Sequence, residues 1–421
     1  MDILLLVLLI ILGHVYQSAF LYGAIIIAIY ILLKADGEKA FCFILFLIPN
    51  IRIFDDLGVT YVVNLLMGVP CLKYIVCHLK NINVFAFIST IGLLVYELLH
   101  TLLYENYSNI LPMISGFLGM FFCISITLEK KIYLKMERIW KYFAGGVLFS
   151  ALVYLLVNPA YAMNIVQYVV SNNRLKAYAN DPNYFSLYIC ICVAIIYMQG
   201  KIARIHQIGL ILLMILGLMT GSKMSLITLV IVSILGIGYN LLYVKNKKKK
   251  SFYFGIFSLV IISAVIFSEK LLMLFENFLA RAGFDGTNLD MSKLTSSRST
   301  IAMEYIEILK DDVSVLLFGR GFEYYNVIGE QIAHNTYLDV ILSWGLVGIL
   351  WLGVILLFWM NSLRVKYGGN VRLIACLPLF VIGIDFLVLS CLNASMFWWI
   401  ISVGYIASIN NRTEKNYLCP N

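Results

Sequence analysis

The stretch "LYGAIIIAIYILL" at residues 21–33 contains no charged residue and no alternation of apolar with polar positions. A membrane-spanning β-strand alternates over roughly 10 residues. This run is apolar on every face instead, as a helix in lipid is. Comparable runs recur along the 421-residue chain, which is 62% hydrophobic and only 13% charged, with a mean hydropathy of +0.90. A soluble domain would be about a quarter charged. The expected fold is therefore all-α: a polytopic integral membrane protein with about 14 (12–14) transmembrane helices, each taking roughly 20 apolar residues.

The candidate crossings lie near residues 2–13, 18–33, 39–50, 58–72, 84–103, 107–128, 142–158, 183–199, 207–220, 224–244, 252–267, 335–360, 373–390 and 396–410. The first two could form one long helix. The opening "MDILLLVLLIILG" lacks a basic leader and a small-residue cleavage site, so it reads as a retained span. Alternation from a cytoplasmic N-terminus puts "KADGEK", "LKYIVCHLKN", "EKKIYLKMERIWK", "KIARIH", "KNKKKK", "LRVKYGGNVR" and "NRTEK" inside. Most of the 31 Lys and Arg residues fall there, and the short outer loops hold only Arg52 and Lys223. That is the positive-inside pattern, and it places the chain in a plasma or inner membrane with both termini cytoplasmic.

The net charge of +8 thus follows topology and does not call for nucleic acid. The "KNKKKK" run reads as an anchor on the anionic inner leaflet. The nine cysteines are scattered, mostly inside apolar runs, and read as packing residues rather than zinc ligands or a disulfide framework. The expected organisation is transmembrane helices over 1–267, interrupted by an outer loop at about 158–183. An extracytoplasmic subdomain follows over 268–334, then C-terminal transmembrane helices and a short cytoplasmic tail over 335–421.

Loops as long as 268–334 are usually functional, and this one has helical periodicity. "EKLLMLFENFLARAG" spaces Leu271, Leu274, Phe275, Phe278 and Leu279 along one face and ends at Gly283. "SSRSTIAMEYIEILKDD" puts Ile301, Tyr305 and Ile308 on one face behind Ser/Thr capping candidates. Two amphipathic helices on the outer membrane surface are expected. No repeat of 20–50 residues and no inverted repeat is visible.

At the end of that loop, "EQIAHNTYLDVILSWGLVGILWLG" (residues 330–353) turns from polar to apolar with His334 and Asn335 at the break. A histidine at the start of a helix meets a macrodipole that disfavours its protonation. A neutral imidazole suits general-base work; the plainer alternative is a loop histidine capping a helix. Arg298 lies in the first turn of the expected loop helix, where a cation opposes the dipole. With free backbone N–H groups it suits a phosphate, or it faces lipid headgroups. Arg320, in the glycine turn "FGRGFEYY", and Arg174, in "NNRLKAYANDPN", are further candidate anion ligands.

Glu97, Lys223, Asp339 and Asp385 fall near the outer ends of spans, where charges are usually paired or functional. Lys223 either pairs with a carboxylate such as Asp385 or faces a substrate cavity. His14, His100 and His206 flank spans as interfacial residues. No nucleotide loop, Mg²⁺-type carboxylate cluster, Ser-His-Asp pattern or dinucleotide fingerprint occurs. No metal or cofactor is expected, and a reaction at the outer face would draw on an already activated substrate.

These segments resemble the O-antigen ligase and Wzy-type polysaccharide polymerase superfamily. "HNTYLDVILSWGLVG" looks like its His-Asn-x-Tyr-Leu motif followed by a glycine-spaced helix. "RLKAYANDPNYFSLY" is similar to its Arg…Asp-Pro-Asn segment, and "MTGSKMSLITL" to its small-residue–Ser–Arg/Lys segment. "SSRSTIAMEYIEILKDDVSVLLFGRGF" resembles its Arg-bearing helix and Gly-x-Gly turn. The likeness covers roughly residues 170–360. Arg320 sits at a Gly-x-Gly centre that is often apolar, and Ser343–Trp344 stands where many relatives carry Glu.

The resemblance implies a metal-independent, inverting glycosyltransferase acting on undecaprenyl-pyrophosphate-linked oligosaccharide at the outer face. His334 would activate the acceptor hydroxyl, and Arg174 and Arg298 would bind the pyrophosphate. Arg320, Asn335, Tyr337, Asp181, Asn183 and Lys223 are the expected substrate contacts. Membrane lipid, a flippase and a chain-length regulator are the expected partners, for a product such as capsule, exopolysaccharide or O-antigen. A ligase handing finished glycan to a lipid or protein acceptor is the alternative within the class. A flippase or transporter of lipid-linked sugars is the alternative outside it.

Overall fold

In the computed structural model of the chain, helix is the only regular structure among the described residues, apart from short 3-10 turns. Those residues are 2–58, 61–78, 82–105, 107, 110–163, 174–179, 181–199, 203–243, 251, 255, 298–329, 331–368, 373–392 and 394–409. The expected span at 252–267 and the expected loop helix ending at Gly283 lie outside them.

In chain order the helices are α1 (Asp2–Val15), α2 (Ala19–Lys34), α3 (Gly37–Leu47), α4 (Val62–His78), α5 (Val84–Leu103), α6 (Ile110–Leu128), α7 (Met136–Val157) and α8 (Pro159–Met163). There follow α9 (Pro182–Met198), α10 (Arg204–Met219), α11 (Lys223–Tyr243), α12 (Arg298–Asp311), α13 (Val313–Phe318) and α14 (Tyr324–Ile328). The last are α15 (Thr336–Tyr367), α16 (Leu377–Asp385) and α17 (Phe397–Ile409).

Four of these, α5, α6, α7 and α15, are long and apolar enough to cross a membrane. Among the described residues, eight further apolar stretches of helix run for 10–17 residues, one of them inside α11, short of the roughly 20 that a perpendicular crossing takes. The two opening runs are separate helices packed on one another.

Burial sorts the helices into centre and periphery. Every residue of α9 from Phe185 to Met198 is buried, and so is all of α17. Helices apolar on every face belong inside a bundle. α9 packs against α7, α10, α11 and α16, and α17 against α6, α15 and α16. The peripheral helices present large apolar side chains outward, among them Ile26, Leu99, Ile208, Leu350 and Leu357. Apolar surface of that extent is what lipid-facing helices display.

A smaller, separate core holds the described part of the long loop. Tyr305 and Leu309 of α12, Val315 of α13, Tyr324, Ala333 and Leu342 form it, with Ile301 and Ile308 packed against it. The apolar face read from "TIAMEYIEI" is therefore the face that α12 buries. This core runs directly into the first turns of α15 through Leu338, Ile341 and Leu342.

α15 is interrupted at Gly345, whose backbone is left-handed (φ 60°, ψ −169°). A break inside an apolar helix frees carbonyl groups that lipid cannot satisfy. Here the loop satisfies them. Leu342 O accepts from Arg320 N at 2.8 Å and Ser343 O from Gly321 N at 2.8 Å. Trp344 O accepts from the Tyr96 hydroxyl at 3.1 Å. The approach is backbone on backbone: a Cβ on Gly345 would meet Leu317 O at 2.4 Å, and one on Gly319 would meet Ser343 O at 2.3 Å.

Candidate functional site

The Asp181-Pro182-Asn183 triplet starts α9 by ordinary helix chemistry. Asp181 is the N-cap and accepts from the Asn183 N–H at 2.7 Å. Pro182 takes the first helical position, where its missing N–H is not needed. The Asn183 side chain is a hub: its Oδ1 accepts from Arg174 Nη2 at 2.7 Å and from Ser222 Oγ at 2.7 Å. Arg174 Nε also donates to Thr220 O at 3.1 Å, and Leu175 N to Met219 O at 3.1 Å. The segment 174–179 is thereby tied to the end of α10 and to the Gly221 turn (φ 56°) that leads into α11. Lys223 opens α11 directly after Ser222.

Arg298 opens α12 and is half-buried, with the Asp181 carboxylate and the Tyr184 phenol as its electrostatic neighbours. Burial lowers its pKa from the usual arginine value. The charges of Arg298 and Asp181 both reach His334. It is solvent-accessible, yet the surrounding protein removes enough water to hold its pKa below the ordinary histidine value. The Arg298 cation pushes the same way, and the Asp181 carboxylate opposes them. The direction is the one expected from a helix start, but its causes are desolvation and a neighbouring guanidinium.

His334 also adopts a left-handed backbone, φ 52°. A non-glycine residue pays for that conformation and keeps it only where its surroundings impose it. The helix cap is Asn335: its Oδ1 accepts from Tyr337 N at 2.9 Å and Leu338 N at 3.1 Å. His334 is left outside the helix with its ring uncommitted to capping.

The remaining expected contacts are held differently. The Tyr337 hydroxyl donates to Gly383 O at 2.9 Å, joining α15 to α16. Arg320 Nη2 donates to Asp312 Oδ2 at 2.9 Å and Ser314 Oγ at 2.6 Å, and Nη1 to Gly319 O at 2.9 Å. Its guanidinium is thus built into the α13 turn. It lines a small cleft together with Glu97, His100 and Glu323. Glu97 is buried and accepts from Phe322 N at 2.6 Å and Trp344 Nε1 at 2.8 Å. It fastens the glycine turn to the break in α15. Asp385 receives Thr228 Oγ1 at 3.1 Å.

Four segments far apart in the chain therefore meet: 174–184, 220–223, the start of α12 and the residues ahead of α15. The N-terminal ends of α9, α11 and α15 border this place, bringing the positive ends of three helix dipoles to it. With Arg174, Arg298 and Lys223 at or beside those ends, the region is suited to an anion of high charge. His334 is a histidine held toward its neutral form at the edge of that field. Among the described residues, no three His, Cys, Asp or Glu side chains are grouped closely enough to hold a metal ion.

Sequence reasoning did not single out Tyr184 beside Arg298, Ser222 on Asn183, or Tyr324, whose hydroxyl reaches the residue before His334. Ser222 stood within "MTGSKMSLITL" and was visible as part of a pattern. Tyr184 and Tyr324 act through residues distant in sequence, and no local pattern marks them.

Neither protein-family models nor curated proteins provide a match to this chain.

Proposed function

We propose that the chain is a membrane-embedded glycosyltransferase that lengthens a polysaccharide at the outer face of the membrane. The observation that supports this reading best is the meeting of His334, Arg298 and Asp181, with the Arg174–Asn183–Ser222 network alongside. The donor is a saccharide on undecaprenyl pyrophosphate, and the acceptor is a sugar hydroxyl. As the acceptor oxygen forms its bond to the anomeric carbon, its proton passes to the His334 imidazole. The bond between that carbon and the pyrophosphate oxygen breaks, and its electron pair leaves with the lipid pyrophosphate. Arg174 and Arg298 stabilise the charge that grows there. A proton acceptor already neutral near pH 7 fits the first role, and converging cations and helix N-termini fit the second. About 14 crossings with an outer loop subdomain would put the site at the level of the headgroups, where a polyprenyl donor presents its pyrophosphate.

Replacing His334 tests the reading. His334→Ala is the direct variant, and His334→Asn is a second one that tolerates the left-handed backbone. In cells that lack the native chain, both are expected at normal protein level with glycan arrested as single repeats on undecaprenyl. The loss expected of a general base is about 10²- to 10⁴-fold in transfer rate. Long chains accumulating on undecaprenyl would make the protein a ligase of finished glycan. Normal polymer would remove His334 from the chemistry, and lipid-linked sugar crossing vesicles without new glycosidic bonds would make it a flippase.

A further inference from the structure

Residues 331–335 hold a histidine in a left-handed conformation within the field of Arg298. Two buried tyrosines grip it from below. The Tyr305 hydroxyl donates to the Gln331 carbonyl. The Tyr324 oxygen accepts the Ala333 N–H at 2.9 Å, one residue before His334. The same Tyr324 hydroxyl donates to Asp339 Oδ1 at 2.6 Å. Both rings are buried and pack edge to face, centroids 5.4 Å apart. On the other side of His334, Thr336 N donates to Phe386 O at 2.8 Å, and Thr336 Oγ1 accepts from Cys391 N at 3.0 Å.

From these contacts we infer that Tyr324, seated on Asp339 and braced by Tyr305, is the positioning residue that holds His334 in its left-handed pose against Arg298. This rests on the proposed role of His334 as the base. Tyr305 lies seven residues after Arg298 on α12, two turns further along one face of the same helix. One helix therefore carries the cation at its start and a clamp on the histidine's strap two turns on. α12 itself fixes the spacing between Arg298 and Tyr305. Tyr324 is suited to stay a hydroxyl donor at any working pH: burial, then the Asp339 carboxylate, raise its pKa well above the ordinary tyrosine value. Asp339, 1% exposed in the first turn of α15, supplies the fixed point.

The test is Tyr324→Phe, which keeps the buried ring and removes only the bridging oxygen. The full chain is placed in lipid nanodiscs, with ¹⁵N-labelled histidine and the His334 signal assigned through His334→Asn. The faces turned to His334 are Arg298 from α12 and Asp181 from ahead of α9. With the strap released, the imidazole leaves Arg298 and gains water, so its titration is expected to move up toward the ordinary value of about 6.5. Transfer is measured with lipid-linked oligosaccharide extracted from cells lacking this chain. The expectation is kcat down about 10- to 100-fold with KM nearly unchanged, as for a displaced catalytic group.

Gly353→Ala, further along α15 where a built Cβ meets nothing within 4 Å, is the control and is expected to leave both readings close to the native ones. An unmoved His334 titration in Tyr324→Phe overturns the inference, whether or not activity falls. A shift as large in Gly353→Ala also counts against it. A moved titration in a protein whose native form shows no transfer leaves the clamp standing and sinks the glycosyl-transfer reading instead.

Discussion

His334 and Arg298 show how one side chain sets the working range of another. Desolvation and the Arg298 cation both favour the neutral imidazole, and Asp181 is the weaker, opposing influence. A base with a lowered pKa stays unprotonated further into acid, so transfer should persist below the pH at which a free histidine would protonate. Removing the cation reverses that effect. Arg298→Ala is expected to shift the acid limb of the kcat/KM profile to higher pH. It should also lower the plateau by about 10²- to 10³-fold, since a stabiliser of the leaving group is lost. A profile whose acid limb stays in place would show that the two side chains are not coupled. The residue types were legible from the chain: His334 at a polar–apolar break and Arg298 at a helix start. Their neighbour Asp181 was legible as part of a triplet. Its electrostatic part was not, because about 120 residues separate it from Arg298 in the chain, and capping alone would have explained it.

At the scale of the element, α15 draws attention because backbone docks on backbone at its break, with the Tyr96 and Glu97 side chains of α5 fastening it. The Gly345 position combines positive φ with a Cβ that would fall 2.4 Å from Leu317 O. Gly345→Ala therefore adds backbone strain of about 1–3 kcal/mol to a clash with immovable backbone, and its folded yield should fall sharply. Gly353 lies in the same helix with nothing within 4 Å of a built Cβ, so Gly353→Ala should be neutral, or more stable by up to about 1 kcal/mol. Thermal unfolding of the two variants in detergent, followed by size-exclusion chromatography, separates these outcomes. Equal midpoints would show that the interlock between α13 and α15 does not hold the break. The glycines of "FGRGF" and "SWGLVG" were visible as two separate small-residue patterns. That each fits against the other's backbone follows only from how α13 docks on α15.

Over the whole molecule, the distribution of Lys and Arg predicts an orientation in the bilayer, with the loop subdomain outside and the connection between α6 and α7 inside. Cysteines placed at exposed positions test it. Asn326→Cys, in the loop subdomain, should react with a membrane-impermeant maleimide added to intact cells. Lys130→Cys, between α6 and α7, should react only after the membrane is opened. Both positions are exposed, so steric protection does not confuse the result. The reverse pattern would turn the molecule over and put His334 on the cytoplasmic side.

The sequence by itself determined the helical class and the lipid-facing character, because apolar run length and the scarcity of charge need no partner to be read. It also determined the face of α12 that is buried and the Asp-Pro-Asn start of α9, since 3.6-residue periodicity and capping are local physics. Only the tertiary structure decided how far each apolar run continues as helix: most yield helices shorter than a full crossing, and α15 breaks at Gly345. It alone decided that Asn183 receives Arg174 and Ser222, that the charges of Arg298 and Asp181 both reach His334, and that Tyr324 grips the histidine's strap. Such groupings depend on how helices distant in the chain cross and dock. That is a property of packing, and no window of the sequence contains it.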